Sequence, residues 1–419
     1  MTQRKPALVF IFITLFLDVL GIGLVVPITP KLVEQLSGGG IDDASYIFGW
    51  IVGLYALMQF LFAPIIGSLS DRFGRRPVIL LSLFGSGLDY FLLAWAPTLP
   101  WFFVGRMISG ISGANFSAAA AYIADVSPPE KRAANFGIIG AAFGLGFIFG
   151  PALGGWLGHY GLRVPFYAAG ILTLINWIYG FFILPESLKP ENKRPFSLSR
   201  SNPISALLDL RKHRLVLGLS FSYFISSIAH QVYPSIWVLY TAYRYDWGTK
   251  QTGLSLALVG LMAAIVQGGL TRTIIPKIGE RRAAISGLFI MAVALSLYGL
   301  APQGWMVYVI IVFGSISGIA VPAIQGMISR SVGDDEQGGI QGSLTSLQSV
   351  AGAIGPIIAT SIFGFFISER APALIPGAPF FFSSALAVLA ACLAMLSFHR
   401  NPVLASGDSE PVEMFDPAP

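Results

Sequence analysis

The chain runs to 419 residues, 54% of them hydrophobic and 11% charged, with a mean hydropathy of +0.71. Soluble domains carry about 25% charged residues, so this composition excludes a soluble fold and an enzyme built on one. It points to an all-α, polytopic membrane protein.

Apolar runs separated by Gly/Pro-rich or charged breaks fall near 7–32, 45–68, 77–96, 100–126, 132–158 and 164–184. They resume near 215–241, 250–275, 282–300, 304–329, 338–367 and 378–398. A membrane-spanning helix takes about 20 apolar residues, so twelve spans are predicted. The first run is too long for the core of a cleaved signal and holds Asp18 and Pro27, so it reads as a retained span. An even number of spans puts both termini on one side. On that topology 20 of the 26 Lys and Arg fall on the terminal side and five on the other, with Arg106 inside a span. The excess of positive charge places the termini in the cytoplasm. The net charge of +5 is accounted for by loop bases held against an anionic membrane, and no nucleic-acid partner is expected.

Four segments follow: residues 1–185 as an N-terminal bundle of six helices, 186–213 as a cytoplasmic linker, 214–400 as a second six-helix bundle, and a tail at 401–419. The linker is basic and Pro/Ser-rich, with room for a short surface helix at 203–212. The tail carries Asp408, Glu410, Glu413 and Asp416 among prolines and is expected to be disordered.

Between the second and third spans lies Gly67-Ser-Leu-Ser-Asp71-Arg72-Phe-Gly74-Arg75-Arg76-Pro77, a charged knot that must leave the hydrocarbon. Asp71 is placed to meet the start of the eleventh helix, where orphan amides attract a carboxylate. Arg72, Arg75 or Arg76 can pair with Asp125 at the inner end of the fourth. Such ties would hold the two halves together and break when the protein opens to the cytoplasm, a bistable latch. Gly67 and Gly74 would allow close backbone approach.

The halves repeat one another. Gly74 recurs as Gly279, Gly150-Pro151 as Gly355-Pro356, and Ile111-Ser112-Gly113 as Ile316-Ser317-Gly318, always displaced by 205 residues. With an even number of helices in each half, this is a parallel repeat about an axis along the membrane normal. In the second half Thr271 or Thr273 is expected in place of Asp71. Gly110, Gly113, Gly150, Gly154 and Gly355 permit tight helix contacts, and Pro151 and Pro356 bends.

Charge inside a bilayer needs a partner or a task. Asp18, Asp89 and Arg106 all lie within spans of the first half, and form its only strongly titratable cluster if they face one cavity. Desolvation favours a neutral carboxyl and a nearby guanidinium a charged one, so the balance can change with conformation. A fixed ion pair tying helices together is the competing reading. His230 is the one histidine deep in a span, either hydrogen-bonded in the core or a proton-binding group of the second half. Gln59, Asn115, Gln231, Gln267, Gln325, Gln341 and Gln348, with Tyr122, Tyr233 and Trp237, are candidates for a cavity wall. Amides and aromatics with few charges suit a mainly apolar, hydrogen-bonding molecule. The single cysteine, Cys392, leaves no disulfide framework or cysteine-rich metal site, so neither metal nor cofactor is expected beyond a coupling proton.

The two-fold twelve-helix pattern, with Gly67-x₃-Asp71-Arg72-x-Gly74-Arg75-Arg76, resembles the major facilitator superfamily. Arg106-x₃-Gly110-x₂-Gly113-Ala114 is similar to the motif of its proton-coupled antiporters. Gly144-x₅-Gly150-Pro151-x₂-Gly154-Gly155 resembles the signature of its drug exporters. Leu17-Asp18-Val-Leu-Gly21-Ile-Gly23-Leu24, Leu88-Asp89-Tyr90, Trp237-Val238-Leu239 and Pro322-Ala323-Ile324-Gln325-Gly326 are similar to the tetracycline-efflux group. The resemblance implies the major facilitator fold, an inner-membrane location and a monomer that exports a drug-like molecule against protons. This chain departs from that group in two places. Where such exporters carry a histidine in helix 8 and an aspartate in helix 9, Ala263 and Met291 stand here. That speaks against tetracycline as cargo and against a coupling path in the second half.

Export coupled to protons is therefore the leading expectation, and proton-independent import or facilitated diffusion of a metabolite or lipid the alternative. A transporter-like receptor would need a soluble domain that the linker and tail do not offer. The Gly-rich strings lie in apolar helix rather than after a strand, so they are not nucleotide fingerprints.

Overall fold

The structure, a computed structural model, describes residues 4–127, 132–193, 214–331 and 337–400. Most of the linker, the surface helix expected at 203–212 and the whole tail lie outside the described residues. Among the described residues ten helical units are long and apolar enough to cross a membrane. Two further crossings, residues 99–126 and 214–245, complete the predicted twelve.

In the first half these are α1 (Arg4–Val25), α2 (Ile41–Phe73), α3 (Arg75–Trp95), α4 (residues 99–126), α5 (Arg132–Leu157) and α6 (Val164–Ile183). A short helix, Thr29–Ser37, follows α1. In the second half they are α7 (214–245), α8 (249–278), α9 (Glu280–Leu300), α10 (304–330), α11 (Gln337–Ile367) and α12 (Ala378–Arg400). The interruptions obey the repeat. A 3₁₀ turn at Gly113–Asn115 breaks α4, and one at Ile316–Ile319 breaks α10. α1 ends at Val25 and α7 breaks after His230, again 205 residues apart, the chain resuming at Val232. α8 carries a π-helical turn at Val266–Leu270.

Gly74 and Gly279 join α2 to α3 and α8 to α9 at φ of 112° and 80°. An L side chain rarely adopts such a φ, so glycine is required where each helix ends and the next begins with no linker. The same register places Pro276, rather than Thr271 or Thr273, opposite Asp71.

α1 packs on α5 and α6, α3 on α6, and α2 on α4; α7 packs on α12 and α11, and α9 on α12 and α10. The halves meet along α2 against α11 and α5 against α8. These seams need small residues, because without a hydrophobic drive between helices close backbone packing must supply the attraction. A Cβ on Gly253 of α8 would meet the Pro151 carbonyl of α5, and one on Gly53 of α2 would lie 2.7 Å from the Ala353 carbonyl of α11.

The apolar core shows where the halves join. One cluster spans both, uniting Leu24, Ile28 and Phe48 with Trp237, Tyr240 and Phe363. At the end carrying Gly67–Pro77, called here the basic end, the core splits in two. Ile11, Leu83, Tyr122 and Ile123 belong to the first half, and Leu219, Leu288, Ile328 and Leu344 to the second. Gly67 has only Ser117 Oγ nearby, at 3.8 Å from a built Cβ, and Gly140, Gly268, Gly269 and Gly342 have nothing within 4 Å. The close approach expected at Gly67 is therefore not made. The two bundles are fused at the far end and apart at the basic end. Leu81, Ile171 and Phe182, exposed on the outside, are what a surface against acyl chains requires.

Candidate functional site

Asp18 of α1 and Asp89 of α3 are both buried, at 5% and 3% exposure. The expected acidic cluster is thus between helices of the first half, not on an open wall. Asn115, in the α4 interruption, donates to Asp18 Oδ2 at 3.2 Å. It is buried and serves this carboxyl, so its predicted place in the cargo wall is replaced by a place behind it. Ser109 of α4 donates to Asp89 Oδ2, and Arg106 Nη2 stands 4.0 Å from the same oxygen. Asp89 Oδ1, Arg106 Nε and Asn115 Oδ1 are buried without a hydrogen-bond partner. Within a bilayer each unmet polar atom costs several kcal/mol. The carboxyl–guanidinium contact is loose, not a saturated pair, which weakens the reading of it as a fixed tie.

Arg106 also stacks on Tyr55 and Phe102, at 5.9 and 5.8 Å to the ring centroids. Tyr55, partly exposed on α2, is within electrostatic reach of Arg106, Asp18 and Asp89. Gln59, one turn along, donates to the Gly113 carbonyl at 3.0 Å. That carbonyl sits in the α4 interruption, so Gln59 binds the break directly. Tyr55 and Ser109 were missed in the sequence; the signal was their helical spacing from Gln59 and Arg106.

In the second half His230 closes the first piece of α7 and is exposed, its ring 5.3 Å from that of Tyr233. It stands apart from the acidic cluster. Gln231, at the α7 break, wedges against α11: a Cβ on Gly355 would be 2.6 Å from its Cβ, and one on Gly352 3.1 Å from its Nε2. Tyr233 packs on Trp237, Tyr298 and Phe380. Trp237 is buried and donates to Ser255 Oγ of α8 at 2.9 Å, so it is core and not cavity wall. Tyr122 is likewise fully buried. Gln267, in the π turn, and Gln341 and Gln348 on α11 are exposed, and Gln325 is half-buried.

The knot does different work from that expected. Arg75 meets Asp71 at 2.5 Å, Asp125 at 3.1 Å and Ser70 Oγ at 2.7 Å. All three partners belong to its own bundle, so the Arg75–Asp125 pair clasps α3 to α4 and does not join the halves. Asp71 pairs with Arg75 instead of reaching α11. The backbone N–H groups of Arg75 and Arg76, at the start of α3, donate to the carboxylate of Glu186 at 2.9 and 3.3 Å. Arg76 donates to the Phe181 carbonyl, and Arg72 lies over the Phe73 ring. The second half repeats the clasp with its charges exchanged. Glu280 stands 205 residues after Arg75, Arg330 stands 205 after Asp125, and the two form an ion pair between α9 and α10.

The helix-packing glycines lie at real contacts. A Cβ on Gly110 would lie 2.6 Å from Met58 Cβ, one on Gly113 2.9 Å from Tyr55 Oη, and one on Gly150 2.6 Å from Gly23 Cα. One on Gly154 would overlap the Leu24 carbonyl. Pro151 and Pro356 lie inside α5 and α11. No group of metal-ligating side chains gathers among the described residues.

The family model described as Major Facilitator Superfamily matches residues 11–356 and 274–413. The chain belongs to the major facilitator superfamily. This is a family of transporters, and the chain is one of them, not an enzyme. It is 42% identical over 361 residues to the class C tetracycline resistance protein of Escherichia coli, covering 86% of this chain and 90% of that one. It is 37% identical to the class B protein of the same organism, covering 86% and 88%. Among solved structures, the human organic anion transporter MFSD10 (TETRAN) aligns at TM-score 0.71 and 26% identity, over 94% of this chain and 100% of its own. In the superfamily fold the positions of the two departures are plain: Met291 is buried in the α9 core and Ala263 half-buried on α8.

Proposed function

We propose that this protein is a proton-coupled secondary transporter that exports a small, mainly apolar, drug-like molecule by alternating access. It sits in the inner membrane as a monomer, with its termini and basic end in the cytoplasm, and uses a proton but no cofactor. The state described is then the inward-open one. The observation that carries the reading is the loose triad of Asp89, Ser109 and Arg106, buried yet with Asp89 Oδ1 and Arg106 Nε unpartnered. Such a carboxyl can hold a proton in one conformation and give it up to a closer guanidinium in the other. Asp18 takes part through Asn115 at the α4 interruption, so its protonation acts on a helix already broken there. His230 supplies a proton-binding group in the second half, where Met291 and Ala263 supply none.

Gln59, Gln231, Tyr233, Gln267, Gln325 and Gln348 serve the cargo path at the midplane, as the superfamily's two-bundle rocking mechanism requires. When the basic end closes, Asp71 leaves Arg75 for α11 while the Arg75–Asp125 clasp stays shut. The tetracycline resistance relatives support a drug as cargo.

The test is proton release in everted vesicles acidified by respiration, followed by a pH-sensitive dye. A drug panel including tetracycline is expected to dissipate the gradient with the wild type and not with Asp89→Asn. Equal dissipation by both proteins, or transport indifferent to a protonophore, would remove the coupling and favour a passive facilitator.

A further inference from the structure

Tyr223 of α7 is buried among Val266, Ile324 and Leu344, and its hydroxyl leaves that core to meet two glutamines. It donates to Gln348 Oε1 of α11 at 3.2 Å and accepts from Gln325 Nε2 of α10 at 3.4 Å. Gln348 is exposed and Gln325 half-buried, and the core that holds Tyr223 is the second half's own, at the basic end where the halves part. The repeat gives the position its meaning, because Asp18 displaced by 205 residues is Tyr223. Asp18 is bonded to Asn115 at the α4 interruption; Tyr223 is bonded to Gln325, just past the interruption of α10. Each half has one polar station at the same place, acidic in the first and uncharged in the second.

A phenol has one proton. It gives that proton to one amide oxygen and takes a bond from the other amide's nitrogen. Whichever way the two amides are turned, one then offers N–H outward and the other C=O. We propose that Tyr223, Gln325 and Gln348 form a cargo subsite for a neutral group that carries a hydrogen-bond donor and acceptor side by side, the simplest being a carboxamide. The assignment rests on the export reading and adds which part of the cargo the second half holds. A site built to bond such an edge discriminates against an analogue lacking it, because its own polar groups are then left unpaired.

The test uses the full-length protein in proteoliposomes with an imposed pH gradient and three probes. These are tetracycline, which bears a carboxamide; its nitrile analogue, in which that amide is dehydrated; and tetraphenylphosphonium, which has no hydrogen-bonding group. Tyr223→Phe and Gln348→Leu are expected to raise KM for tetracycline about tenfold, as for one lost hydrogen bond. KM for the nitrile, which keeps an acceptor but has no N–H, should rise less, and KM for tetraphenylphosphonium and the pH profile should not move. Gln348 is exposed, so its variant carries the test if Tyr223→Phe fails to insert. An unchanged KM for tetracycline overturns the subsite, as does an equal loss for every probe or a wild type that moves only tetraphenylphosphonium. A wild type that answers none of the three overturns the export reading itself, and the subsite with it.

Discussion

In the proposed mechanism Asp89 is the residue on which coupling turns, and its neighbours say how. Ser109 and Arg106 share one carboxylate oxygen and leave the other bare. Asp89→Glu is expected to keep a fraction of drug-driven proton release in everted vesicles, and Ser109→Ala to keep more, shifting its pH optimum instead of abolishing it. Asn115→Ala removes the one hydrogen bond that Asp18 Oδ2 receives from α4. It should lower the transport rate several-fold with little change in thermal stability, since the site exchanges one incomplete set of bonds for another. Glu186 is a different case. Its carboxylate caps the start of α3 from 110 residues away, where the orphan amides and the positive end of the helix both favour it. Glu186→Gln is expected to cost about 1 kcal/mol, seen as a lower melting temperature with the coupling ratio intact. Asp18, Asp89 and Arg106 were legible because charge in an apolar run stands out. From sequence Asn115 reads as cargo wall, because an amide in a span has no mark that tells which side of a carboxyl it serves.

At the level of the helix, interruptions and seams divide the labour. α4, α7 and α10 carry breaks beside the polar residues, whereas α5 and α8 are held by glycines at their contact. Gly154→Val would drive a branched side chain into the Leu24 carbonyl of α1. Overpacking of this kind costs about 1–3 kcal/mol or more, so the expected outcome is a sharp fall in folded protein recovered in detergent. Gly268→Ala, with open space around it, should leave recovery unchanged; gel filtration of both variants makes the comparison. Hydropathy alone located all twelve spans, because a bilayer demands long apolar runs and tolerates few exceptions. It could not locate the breaks, since a 3₁₀ turn at Gly113–Asn115 and a continuous helix bury nearly the same side chains.

For the molecule as a whole, the state of the core is the state of the transport cycle. One cluster bridges both halves at the far end, and two separate clusters serve them at the basic end. Opening the far end must therefore unmake the α2–α11 seam. A Cβ on Gly49 would lie 3.1 Å from Thr360 Cβ, close to the spacing a disulfide needs, about 3.5–4.5 Å. In a Cys392→Ser background, Gly49→Cys with Thr360→Cys is expected to cross-link under mild oxidation. Drug-driven proton movement should stop and return with reductant; undiminished transport by the cross-linked protein would exclude opening at that end. The sequence repeat announced two alike bundles, yet it hid how each is buckled. Arg75 and Asp125 face Glu280 and Arg330 at equivalent places, and such an exchange reads as dissimilarity to any comparison that scores residues one at a time.

That exchange limits how the bundles can be recombined. A chain assembled from two copies of the first half would keep a matched buckle in each. A hybrid that took its third helix from one half and its fourth from the other would set Arg75 against Arg330, or Glu280 against Asp125, and like charges would push the hairpin open. As far as the buckle is concerned, the two halves can be traded whole, but not helix by helix.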